Sequence, residues 1–191
     1  MNLKEYFFSL KRFFLFSFLF FLISVTLGFL GARFFPDQVI RLLTILKAIY
    51  SPITSLNNFG QFLFMVLNSL ILFALILLLS SFFGIIPMMV LLVNGVVLGG
   101  FIFFLKGSLP ISLLLITLAP HGIFGIPVLI IACGAGLRIA KRTMSMTFGK
   151  EELKQEKFST FYFFLKVLVP FIILAALIEV YFTPYILNKL F

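Results

Sequence analysis

The sequence predicts an all-α, polytopic membrane protein with about five transmembrane helices, and three observations predict it. Of its 191 residues 62% are hydrophobic and 11% charged, with a mean hydropathy of +1.23, outside the usual range of soluble domains. The apolar residues gather into runs of roughly 20 or more, the length that crosses a ~30 Å hydrocarbon core. The basic residues fall between those runs, where they orient a membrane protein. The net charge of +9 therefore does not point to nucleic acid. The chain reads as one integral membrane domain, residues 1–191, whose first partner is the lipid bilayer.

The first span covers about residues 13–35, behind a basic head of Lys4, Lys11 and Arg12. Its apolar run is longer than the core of a cleaved signal peptide. Residues 36–60 differ: Val39, Ile40, Leu42, Leu43, Leu46, Ile49 and Tyr50 recur at helical spacing, with Arg41, Thr44 and Lys47 between them. That pattern predicts an amphipathic interfacial helix, interrupted at Ser51-Pro52. The second span, about 62–83, carries Asn68. The turn Gly84-Ile85-Ile86-Pro87 is too short and too apolar for an exposed loop. Spans two and three, the latter about 87–105, therefore form a tight helical hairpin. Span three carries Asn94, Gly95 and Gly99, and the spacing of the two glycines permits close helix approach.

The fourth span, about 109–137, is long and apolar, yet its middle holds Pro120, the only histidine (His121), Gly122, Gly125 and Pro127. Proline removes a backbone donor and clashes with the preceding turn, so the helix is expected to break near Pro120-His121-Gly122. In lipid the freed backbone groups must be satisfied by neighbouring helices, polar side chains or a wet cavity. Residues 138–157 read as a solvated cytoplasmic linker or short surface helix. The fifth span, about 158–184, carries Lys166, Pro170 and Glu179.

Five spans put the termini on opposite sides. With the N-terminus inside, Lys4, Lys11, Arg12, Arg138, Lys141, Arg142, Lys150, Lys154 and Lys157 make nine inner cations. Arg33, Arg41, Lys47, Lys106 and Lys189 make five outer ones, and Lys166 lies within the fifth span. The asymmetry places the chain in the cell membrane with its N-terminus inside and its C-terminus outside.

Catalytic constellations are missing. One His and one Cys supply neither a multi-cysteine zinc site nor a Cys–His dyad in the usual way. No glycine-rich loop runs into Lys-Ser or Lys-Thr to cradle a phosphate. No metal, no cofactor and no enzyme activity are expected. Cys133, in an apolar run, reads as a small hydrophobe. What remains is a set of intramembrane polar residues, Asn68, Asn94, His121 and Glu179, with Pro120 and Gly122 around the histidine. The asparagines alone read twice as readily as interhelical hydrogen-bond glue. As a group the four are a candidate intramembrane site between spans two to five. Gly95, Gly99, Gly134 and Gly136 are helix-packing residues. They are compatible with a homodimer, and equally with packing within one chain.

Asn68, Gly84, Asn94-Gly95, Gly99, Pro120-His121-Gly122 and the run Gly134-Ala135-Gly136 together resemble the stage II sporulation protein M family. The resemblance covers about residues 62–142, with Pro-His-Gly its most specific part. It implies a multi-span membrane protein of bacteria and archaea. The family's named bacterial members anchor peptidoglycan-degrading partners during engulfment in sporulation. The sequence departs from the family pattern at Gly125, where the family usually has Glu. Glu179, from the fifth span, is a candidate replacement for that carboxylate. Two functions follow as expectations. One is a non-enzymatic scaffold that gathers other membrane or envelope proteins. The other is a small transporter or channel component built on a polar site around His121.

Overall fold

The computed structural model describes residues 3–80, 83–108, 121–145, 150–182 and 184. Seven α-helices are described: α1 (Leu3–Phe34), α2 (Pro36–Thr54), α3 (Asn58–Leu79), α4 (Ile85–Ser108), α5 (Ile126–Met144), α6 (Lys150–Phe163) and α7 (Val169–Leu177). No strand occurs among the described residues. Among the described residues, five stretches are long and apolar enough to cross a membrane: Phe8–Phe34, Asn58–Leu79, Ile85–Lys106, Gly122–Met144 and Lys157–Phe182. The all-α polytopic class therefore holds.

The helix at the centre is α5. Of its most apolar stretch 67% is buried inside the protein, against 11–28% for the other four crossing helices. It is buried because its side chains are small. Ala132, Cys133, Gly134, Ala135 and Gly136 form one unbroken buried run. A Cβ on Gly134 would stand 3.3 Å from the backbone of Phe13 and Phe14 on α1, and one on Gly136 would stand 2.6 Å from Ser80 Oγ. Between lipid-facing helices there is no hydrophobic drive to associate, so close backbone approach of this kind supplies the packing energy.

The most extensive pair is α1 against α4. Here a Cβ on Gly99 would fall 2.0 Å from Val25 O, one on Gly95 2.5 Å from Ser24 Cβ, and one on Gly28 2.1 Å from Val96 O. The four glycines Gly95, Gly99, Gly134 and Gly136 thus all face other parts of the same chain. Phe29 and Phe103 close this pair edge to face, with centroids 5.2 Å apart.

Three five-residue π-helical turns interrupt the α-helices: His121–Gly125, Phe164–Leu168 and Ile178–Phe182. Each ends two residues before a proline, namely Pro127, Pro170 and Pro184. A proline ring clashes with the carbonyl four residues back and offers no N–H to it. In all three cases that carbonyl (Ile123, Lys166, Val180) lies inside the π turn, where the wider ring makes room.

Several boundaries differ from the sequence expectation. The interfacial helix runs through Pro52 to Thr54 instead of stopping at Ser51-Pro52. Pro52 cannot donate to Ala48 O, but Ser51 Oγ does so at 3.2 Å, so the carbonyl is satisfied and the helix continues. Residues 138–144 are not linker: α5 extends through them to Met144. The cause is Arg138, which is only 4% exposed and donates to Ser9 Oγ on α1. Pro127 is the second residue of α5, directly after the π turn His121–Gly125 that accommodates it, so the helix runs on from His121 to Met144. Residues 109–120, including Pro120, lie outside the described residues. The short turn between α3 and α4 is present, with Phe83 (φ +54°) and Gly84 (φ +72°) left-handed, but the two helices do not pack on each other as a tight hairpin: α4 lies against α1 and α5, and α3 against α5 and α7. Gly84 packs against Leu137 and Ala140 of α5.

Candidate functional site: an intramembrane cavity under α2

A large cavity, of about 810 Å³, lies among α2, α3, α4, α5 and the last crossing helix. Volumes of this order suit a small-molecule ligand. Its wall is mostly apolar, and its polar side chains lie in the half nearer α2, among apolar ones such as Leu43, Leu46 and Ile53. At the end covered by α2 the wall carries Lys47, Tyr50, Thr54, Gln61 and Glu179, and deeper down it carries Phe73, Val128 and Ile172. Gln61 is three residues into α3 and Phe73 fifteen, so at 1.5 Å per residue the wall descends roughly 18 Å. Asn68 and Ser69 lie between these levels on the same helix.

Local chemistry fixes the lid. The α3 N-terminus is capped by Asn57, whose Oδ1 accepts from Gly60 N at 2.8 Å. Gln61 Nε2 donates to Leu56 O at 2.9 Å and to Thr54 O at 3.4 Å, tying the carbonyl end of α2 to the start of α3. Tyr50 and Phe64 meet edge to face at 6.3 Å. Together these contacts bend α2 back over the ends of the crossing helices.

The structure brings some of the expected site residues together and separates others. Asn68 and Glu179 line the same cavity. Asn94 does not: it is exposed on α4, and its Nδ2 donates to Val90 O of its own helix at 2.8 Å. The His121 side chain and Pro120 lie outside the described residues, and with them any pairing of His121 with Glu179. Gly122 is half-buried and open, since a Cβ there would meet nothing within 4 Å. Gly125 is the position at which the resemblance leads one to expect a glutamate. It lines the same cavity as Glu179. Both residues sit in π turns, a geometry that frequently marks functional sites. Among the described residues, no group of three or more His, Cys, Asp or Glu comes together to hold a metal ion.

Sequence reading missed the lid's contribution, Lys47, Tyr50 and Gln61, and the partner glycine Gly28. The signal for Gly28 was present, because the glycine lies one helical turn from Ser24 in an otherwise bulky span. The cavity left no signal of its own, since it depends on how α2 folds back.

A protein-family model described as Stage II sporulation protein M matches residues 17–184. No curated protein and no solved structure matches the chain at a significant level.

Proposed function

Because the chain belongs to the stage II sporulation protein M family, we propose that it acts inside the membrane by binding, without catalysing a reaction, and that its cavity receives an amphiphilic molecule. One observation carries this reading: the polar side chains of the cavity lie toward α2, among apolar ones such as Leu46 and Ile53, and the wall below Ser69 is apolar. An amphiphile would place its hydrocarbon part against Phe73, Val128 and Ile172. Its polar head would lie among Asn68, Ser69, Gln61, Lys47 and Glu179. Lys47 and Glu179 are of opposite sign, which suits a head group of little net charge. Handling such a molecule makes the protein a small carrier or transport component.

The test is lipid extraction from protein purified in mild detergent, followed by mass spectrometry. About one amphiphile per chain is expected, with Asn68→Leu weakening retention about fivefold, as the loss of one hydrogen bond near 1 kcal/mol implies. Recovery of only bulk lipid in bulk proportions, from wild type and variant alike, would refute the reading.

A second reading, a scaffold for envelope proteins, draws on the family resemblance and on α2. Ile45 and Ile49 of that helix are 58% and 60% exposed beside Arg41 and Lys47. It expects a specific partner on co-purification from native membranes. A homodimer would have to use a face other than the four glycines, which are already packed within the chain.

The proposed orientation, N-terminus inside the cell membrane, has its own check. The only native thiol, Cys133, is fully buried. In a Cys133→Ser background, Lys106→Cys should label from outside intact cells and Lys157→Cys only after permeabilisation. The reverse pattern would invert the topology.

A further inference from the structure

A second, smaller cavity of about 250 Å³ lies at the opposite end of the molecule, between the start of α1 and the end of α5. It is lined by Ser9, Phe13, Arg138, Lys141, Arg142 and Ser145. Half of those residues are cations. Arg138 is only 4% exposed, and its guanidinium is held by Ser9 Oγ from the other helix. Lys141 Nζ stands 5.9 Å from the centre of the Phe13 ring. The exposed Lys11 and Arg12 lie on the adjoining turn of α1, adding to the positive potential.

The level of the cavity matters as much as its charge. Ser9 and Phe13 fall at the beginning of the membrane-crossing stretch Phe8–Phe34, and Arg138–Met144 at the end of Gly122–Met144. Both place the cavity where the hydrocarbon core gives way to head groups. Basic pockets between transmembrane helices at this level suit phosphate-bearing lipid heads. Arginine and lysine meet phosphate oxygens with charge-assisted hydrogen bonds. Phe13 and the exposed Phe14 give the acyl chains an apolar wall.

We propose that Arg138, Lys141 and Arg142, with Ser9, form a site for the phosphodiester head group of an anionic phospholipid. It is separate from the cavity under α2, and its failure would leave the amphiphile reading standing.

The experiment is native mass spectrometry of the full chain, titrated in detergent with phosphatidylglycerol or phosphatidylcholine. The wild type is expected to hold phosphatidylglycerol in preference to phosphatidylcholine. In Lys141→Ala/Arg142→Ala that preference is expected to fall about tenfold, each cation near a head group contributing several-fold. The double variant Arg33→Ala/Lys106→Ala removes as much charge from the other ends of α1 and α4 and should keep it. Arg138→Gln, monitored for helicity, should also lose it. Equal retention of the two lipids by wild type, or a preference that survives Lys141→Ala/Arg142→Ala, would overturn the proposal. Displacement of the bound lipid by millimolar inorganic phosphate would assign the site to a free anion, and would overturn it too.

Discussion

Gly28→Ala is expected to destabilise the protein by up to about 2 kcal/mol, while Gly31→Ala, one turn further along the same helix, stabilises it by up to about 1 kcal/mol. The opposite signs follow from what each new methyl group meets. At Gly28 it would fall 2.1 Å from Val96 O and 2.6 Å from Val96 Cα, so the α4 backbone must move away. Overpacking of this kind costs roughly 1–3 kcal/mol, offset in part by the roughly 1 kcal/mol that alanine gains over glycine in a helix. At Gly31 the nearest atom is Val39 Cγ2 at 3.9 Å, an ordinary contact, and only the propensity gain remains. Gly99→Ala should behave as Gly28→Ala does, since its methyl would meet Val25 O at 2.0 Å. Unfolding in detergent mixtures, followed by circular dichroism, reads all three. Equal effects at Gly28 and Gly31 would mean that the α1–α4 approach is looser than described.

Ala175→Phe is expected to abolish amphiphile retention, by more than about tenfold, without unfolding the chain. Ala175 lines the cavity and is only half-buried, so a phenyl ring can extend into open space instead of into packed neighbours. The ring would occupy the region between the polar lid and the apolar floor, where a bound chain must pass. A tenfold loss corresponds to about 1.4 kcal/mol, a small demand on a substitution that excludes the ligand sterically. Unaltered retention in a folded variant would show that bound lipid sits elsewhere.

Much of this architecture was legible in the sequence, because membrane spans announce themselves through length and hydropathy. The five crossing helices, the short turn at Gly84 and the amphipathic character of α2 all follow from composition and spacing, whereas the packing of α3 and α4 on α5 and α1 instead of on each other does not. What escaped were features that depend on contacts distant in sequence. Asn94 could not be assigned a side, since α4 is apolar all round and offers no periodic face. Arg138 read as the first residue of a linker, because the sequence does not show that Ser9 on α1 lies beside it to accept from its guanidinium. The three π turns were hidden in plain sight: two of the prolines that follow them, Pro127 and Pro170, were noted, but a proline reads as a break until the wider turn before it is seen. The cavity joins Asn68 to Glu179 through a fold-back of α2 that rests on Gln61 and on the Tyr50–Phe64 contact.

The chain contains no tryptophan, so a single introduced one reports on its surroundings without background. The most direct test of the amphiphile-binding cavity places it at Phe64→Trp, on the cavity wall, and at Phe16→Trp, 49% exposed on the lipid face of α1. Each is titrated in detergent with an amphiphile whose chain is brominated. Saturable quenching is expected at Phe64→Trp, lost when Ala175→Phe is added, with only a gradual, unsaturating decline at Phe16→Trp. Identical, unsaturating curves at the two positions would contradict the account.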